Sequence, residues 1–305
     1  MIESYRPGVA ERLGIGYETL KARSPGIVYC STSGYGQDGP RRDNPAYDQI
    51  IQGRSGVMSI TGDADSTPLR TGHPVCDATG GLTAAFAVAA ALHRRAVTGE
   101  GQFIDVSMLE SMLATMSWAV ANHTIAGVAP TPMGNENPTG APSGAFRTRD
   151  GVLNVAANTQ AMFDTLCRLI GREDLARDKR FRDRDERKRN RAALNAEIER
   201  AFAERDTAEW EEMLNREGIP AGPVLDVPTA IADEQIAARG FRRILSAPPG
   251  MDRDIDVLRA GFRLSGGDPA VDTPPPVLGR HTEQILAELG YADVQIRDFA
   301  SRGVI

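Results

Sequence analysis

The chain has 305 residues, 41% of them hydrophobic and 25% charged, enough for a substantial core in one to three domains of an ordinary globular protein. Thirty-five basic against forty-one acidic residues leave a net charge of −6, which argues against a nucleic-acid partner because no basic excess exists to neutralise phosphates. Three widely spaced cysteines (Cys30, Cys76, Cys167) give no disulfide framework, and four scattered histidines give no metal site.

Met1–Tyr5 lacks the basic and apolar regions of a signal peptide, and the apolar run near Ala84–Leu92 is too short to span a bilayer, so a cytoplasmic protein without membrane contact is expected. A short helix over Val9–Leu13 and a second over Tyr17–Arg23 lead to an apolar strand, Ile27–Ser31. The glycine-rich stretch Ser33–Pro40 follows the strand, where ligands bind in open α/β sheets. With no earlier strand to pair with, the chain reads as incomplete at its start. Tyr47–Gln52 begins a helix with Asp48 in its first turn.

His73-Pro74-Val75-Cys76-Asp77-Ala78-Thr79-Gly80-Gly81-Leu82 then delivers one carboxylate to the start of a helix ending near Arg95. Asp77 has two readings here. It is a helix N-cap, or, with little side chain after it, a carboxylate that a ligand can approach closely. Gln102–Val106 is a second strand, and Ser107 with Glu110 forms a capping box opening a long helix to about Ile125, which makes Glu110 a cap partner rather than a catalytic acid.

Residues 129–144 form a linker rich in Pro, Gly and Asn. A hairpin over Ala145–Ala156 and helices over Gln160–Ile170, within Asp178–Arg205 and over Thr207–Glu217 make a small α+β unit, residues 145–218. The run Asp178–Arg184 interleaves acids with bases and reads as a solvated surface. After the linker 219–223 come a helix over Val227–Arg239, a β-like tail over Phe241–Phe262 and a final helix, His281–Leu289.

An ordered set of stretches runs along the chain: Arg6-Pro7-Gly8 with Glu11-Arg12-Leu13-Gly14, Ser33-Gly34-Tyr35-Gly36 with Asp38-Gly39-Pro40, Tyr47-Asp48, and Pro74 to Gly81. Thr98 to Gln102 with Asp105-Val106-Ser107, Gly218 to Val224 and Leu278 to Thr282 continue it. Together these stretches resemble CoA-transferase family III, of the CaiB/BaiF type. The family includes formyl-CoA and carnitine CoA-transferases and shares its fold with 2-methylacyl-CoA racemases. The resemblance implies an α/β fold: a Rossmann-like large domain from residues 1–128 and 224–305, an inserted small domain, and an interlocked homodimer. The resemblance also implies a further N-terminal β-α-β segment, against which this sequence reads as starting late.

The implied activity is transfer of CoA between an acyl-CoA donor and a small carboxylic acid. Asp77 would be the nucleophile, passing through an anhydride and an aspartyl-CoA thioester. The resemblance places Arg12 on a CoA phosphate, Tyr47 at the thioester end, Asp48 beside the nucleophile, and Gly140 in a loop whose amides meet the oxyanion. Coenzyme A is substrate here, and no permanently bound cofactor or metal is implied. Two alternatives stay open: a racemase or epimerase of 2-methylacyl-CoA, and a non-catalytic acyl-CoA-binding remnant. Tyr47 stands where the racemases carry a histidine base, and a phenol with an ordinary pKa of about 10 is a poor base at neutral pH.

Overall fold

A computed structural model describes every residue except Ala270. Contacts divide the chain into two units, Met1–Pro223 and Val224–Ile305.

The first unit begins with a parallel three-stranded sheet in the order β1 (Ile2–Glu3), β2 (Val28–Ser33), β3 (Gln102–Ser107). The existence of β1 corrects the expectation that no strand precedes Val28. A two-residue strand is too short for its side-chain alternation to be read. Alternation sorts the two longer strands. Val28, Cys30, Ile104 and Val106 face one way and pack on Ala84 and Ala91 of the long helix α4 (Val75–Thr98). Tyr29 and Phe103 face the other way, stacked with Tyr17 of α2 (Tyr17–Arg23), with ring centroids 5.3 to 6.0 Å apart. The short α1 (Val9–Arg12) precedes α2.

α3 (Asp48–Ser55) and α5 (Met108–Thr115) meet the start of α4 around Ile51, Val57, Cys76 and Met112. Gly80 permits this close approach, since a Cβ there would sit 3.3 Å from Cγ of Met108. Ser107 does cap α5, its hydroxyl accepting the Glu110 amide at 3.3 Å. The helix expected to run to Ile125 instead breaks at Ser117, whose φ is +49°, and resumes as α6 (Trp118–Ala126). No glycine or proline announces that break.

α4 has 24 residues and, by length and composition alone, is long and apolar enough to cross a membrane. That corrects the estimate from Ala84–Leu92, because the Val, Cys, Thr and Gly residues before Ala84 extend the usable length on the N-terminal side. Only 22% of its most apolar window is buried, and Leu82, Phe86 and Val97 stand on an exposed flank.

A second core within this unit gathers residues from Phe146 to Ile219. The hairpin β4 (Ser143–Arg147) and β5 (Val152–Ala156) is joined by β6 (Ala221–Pro223), an edge strand concealed in a Pro-Ala-Gly-Pro sequence. Around it lie α7 (Gln160–Leu169), α8 (Glu173–Arg177), α9 (Arg184–Arg189), α10 (Arg191–Phe202) and α11 (Thr207–Arg216).

The mixed-charge segment is partly solvated, as in the exposed Arg180–Asp178 pair at 2.7 Å. Arg187 and Arg191 are exceptions. Both are buried, and both donate to carbonyls of the loop before β4: Arg187 to Ala141 at 2.8 Å, Arg191 to Asn137 at 2.7 Å and Gly140 at 2.9 Å.

The second unit holds α12 (Val227–Ala232) and α13 (Glu234–Ala238), separated by Asp233, an antiparallel hairpin β7 (Arg242–Leu245) and β8 (Ile255–Leu258), and then α14 (Thr282–Glu288) and α15 (Asp293–Ser301). Leu245 and Ile296 are its buried hydrophobic residues among those described.

Candidate active site

The N-terminus of α4 is where predicted site residues meet. Pro74 occupies the N-cap position and offers no side-chain hydrogen bond. Asp77 is the third helical residue, so it is not the cap, and its exposed carboxylate accepts no hydrogen bond among the described residues. The cap is supplied from 28 residues upstream. Oδ1 of buried Asp48 accepts the Cys76 amide at 2.8 Å and the Asp77 amide at 3.3 Å, satisfying donors that the helix leaves open.

Two carboxylates thus share one helix terminus. Asp48 is turned inward and hydrogen-bonded, and Asp77 is turned outward. Partial burial first, and the charge of Asp48 second, raise the Asp77 pKa above the usual carboxylate value. Burial with the same two charges pushes the Cys76 thiol up to about 11, so it stays protonated and inert at neutral pH. Past Asp77, Gly81 faces open space while Gly80 serves packing, so only one of the two glycines leaves room beside the helix.

Gln52, which sequence reasoning passed over, completes the arrangement. Its Nε2 donates to Oδ2 of Asp48 at 2.6 Å, and its Oε1 accepts the Thr71 amide at 3.0 Å. The i, i+4 spacing of Asp48 and Gln52 on one helix was the available signal.

The remaining predicted residues stand as follows. Tyr47 is the N-cap residue of α3, 82% exposed, directly before Asp48. Arg12 is exposed at the end of α1 and folds back over Gly8; no ion pair engages it among the described residues. Gly140 is buried against Asn158, its carbonyl taken by Arg191, and none of its recorded contacts reaches Asp77. The glycine-rich loop after β2 is held by Asp105, which accepts the Gln37 amide at 2.9 Å.

An open groove of about 530 Å³ runs between the 135–138 loop and β5–β6, lined by Trp118, Asn135, Asn154 and Gly222, away from both carboxylates. No group of three His, Cys, Asp or Glu residues able to hold a metal ion occurs among the described residues.

A buried carboxylate capping two amides of a helix start, with an exposed carboxylate of raised pKa on the second of the capped residues, can present a nucleophile that needs no general base. Comparison with known proteins identifies the family. The profile of CoA-transferase family III matches residues 1–282. Acetyl-CoA:oxalate CoA-transferase of Acetobacter aceti is 39% identical over 242 residues, 79% of this chain and 62% of that protein. Succinyl-CoA:glutarate CoA-transferase of Mus musculus is 34% identical over 305 residues, all of this chain and 70% of that protein. The chain therefore spans roughly two thirds of these relatives' length. Among solved structures, a CAIB/BAIF family protein from Brucella suis superposes with a TM-score of 0.82 at 35% identity, covering 94% of this chain and 74% of that one.

Proposed function

The chain belongs to CoA-transferase family III, and from that membership we propose that it moves coenzyme A from an acyl-CoA to a small carboxylic acid through covalent intermediates on Asp77. The observation that carries the reading is the exposed Asp77 carboxylate, set on the first turn of α4 beside the buried Asp48 cap.

Asp77 attacks the thioester carbonyl. The C–S bond breaks, leaving a mixed anhydride on Asp77 and a free CoA thiolate. The thiolate returns to the aspartyl carbonyl and expels the donor's carboxylate, giving an aspartyl-CoA thioester. The acceptor carboxylate attacks that carbonyl and releases the thiolate again, which takes the acyl carbon of the new anhydride and restores Asp77. No proton changes hands in this cycle, in keeping with a site that has no histidine partner for the nucleophile. Amides of the Gly140 loop would meet the oxyanion, Arg12 a CoA phosphate and Tyr47 the thioester end.

Oxalate and glutarate, in the names of the two relatives above, are both dicarboxylic acids, which favours a short dicarboxylate as acceptor. The protein is further proposed to act as an interlocked homodimer in a reducing cytoplasm, with no resident cofactor. The exposed apolar flank of α4 at Leu82, Phe86 and Val97 supports the dimer, and three free, buried thiols support the compartment.

The test is a panel of acetyl- and succinyl-CoA donors against oxalate, glutarate and mesaconate, with products read by mass spectrometry and hydroxylamine added to trap the intermediate. Transfer, and an aspartyl hydroxamate at position 77, are expected. Asp77→Ala should abolish both, and undiminished transfer by that variant would sink the mechanism.

A further inference from the structure

Gln52 is fully buried, and its carboxamide is engaged at both ends. The Thr71 backbone N–H can only donate, so the amide oxygen of Gln52 must face it, at 3.0 Å. The Thr71 hydroxyl lies at 3.3 Å from the same oxygen. The amide nitrogen is thereby aimed at Oδ2 of Asp48 at 2.6 Å, with the His73 carbonyl at 3.4 Å. Oδ1 of Asp48 already accepts two backbone amides. Each oxygen of Asp48 therefore faces donors that cannot be reversed, which holds the carboxylate in one orientation.

We propose that Gln52 is a positioning residue for the Asp77 nucleophile: it locks Asp48 as an oriented anion under the first turn of α4 and ties the 71–73 segment to the same point. The inference rests on the reading of Asp77 as the nucleophile. Gln52 is too deeply buried to touch substrate, so it acts through Asp48. Asp48 fixes the amides of Cys76 and Asp77, and so fixes the backbone from which the Asp77 carboxylate projects. The titratable groups around the lock are Asp48 on α3, Cys76 and Asp77 on α4, and exposed His73 in the approach. From α5, Met108 and Met112 join the neighbouring apolar cluster, while its acid, Glu110, is exposed.

Gln52→Glu separates this role from simple packing. Glutamate keeps the shape and the acceptor for Thr71, but it can donate to Asp48 only while protonated, and a neighbouring carboxylate makes that proton part of a coupled pair. In the transfer assay its kcat should lie within about threefold of wild type near pH 5.5 and fall about tenfold or more by pH 8, with KM for the acyl-CoA changed by less than about twofold. Wild type should lack this alkaline limb, and Gln52→Leu should lose kcat at every pH.

Thermal unfolding gives a second readout that does not depend on turnover. The Tm gap between wild type and Gln52→Glu should widen over the same pH range. Kinetic and thermal differences that stay constant with pH would overturn the proposal. An inactive wild type, or a fully active Asp77→Ala, would instead remove the reading of Asp77, and the Tm comparison would then decide the Gln52–Asp48 lock by itself.

Discussion

Arg187→Met tests whether a buried cation builds the second core of the first unit. The guanidinium is 1% exposed and donates to the carbonyls of Ala141 (2.8 Å) and Phe181 (3.2 Å) and to Oε1 of Gln160 (2.8 Å). Its carbon lies 4.5 Å from the centroid of the Phe163 ring. Three hydrogen bonds from a charged donor are worth about 1.5–3 kcal/mol each before desolvation is counted. Burying the cation offsets several kcal/mol of that, and burial is the leading reason its pKa is lowered.

Methionine is comparable in length and keeps an aromatic contact through sulfur, which roughly replaces the cation–π attraction. Gln160 is exposed and can turn to water. What remains is two carbonyls left without this donor, at about 1–3 kcal/mol each, for a net loss of about 2–6 kcal/mol. Urea unfolding followed by tryptophan fluorescence measures it, because Trp210 is buried in this core and Trp118 is 52% exposed outside it. Faster proteolysis within residues 135–142 should accompany the loss, since Ala141 is one of the released anchors. A loss below about 1 kcal/mol would refute the reasoning.

Three further outcomes follow from the geometry. The folded-state pKa of Asp77 is raised, so its contribution to stability is present below the unfolded carboxylate value and lost as pH rises through the folded one. Asp77→Asn should therefore match wild type near pH 4 and exceed it at pH 7 by roughly 0.5 kcal/mol or less, the exposed position screening the effect; a Tm series across that range checks it. Gly140→Ala drives a methyl group into the Asn158 side chain and should cost about 1–3 kcal/mol in denaturant unfolding, partly recovered in the double variant with Asn158→Ala. Leu82→Asp with Phe86→Asp places charge on the exposed flank of α4, and light scattering coupled to size exclusion should show a dimer for wild type, as proposed, and a monomer for the variant.

Local patterns carried much of the fold. Val28–Ser33 and Gln102–Ser107 are apolar enough to be recognised as strands, and the turn at Asp150-Gly151 sets the hairpin on either side. Features that depend on distant partners were not legible. Asp77 looks like a cap because an aspartate at a helix start usually is one, yet the cap comes from Asp48 through tertiary structure. Arg187 and Arg191 lie just beyond the Asp178–Arg184 run, in a basic stretch that looks equally suited to solvent. What buries them is a set of carbonyls some fifty residues away in sequence, which no pattern in their own neighbourhood encodes. The pairing of Asp48 with Gln52 is the intermediate case, visible in spacing but without meaning until Thr71 is seen to orient the amide.

The outward position of Asp77 also bears on what the chemistry would yield. On the proposed cycle, an acyl-aspartyl anhydride formed there would stand open to solvent, and water would compete with the returning thiolate for its carbonyl carbons, as it would with the acceptor acid for the later thioester. The proposed mechanism would then give the site a partition ratio between transfer and wasteful hydrolysis, set by how completely its outer face is shielded during the lifetime of the anhydride. Whatever covers α4 at that moment decides whether a thioester bond is passed on or lost.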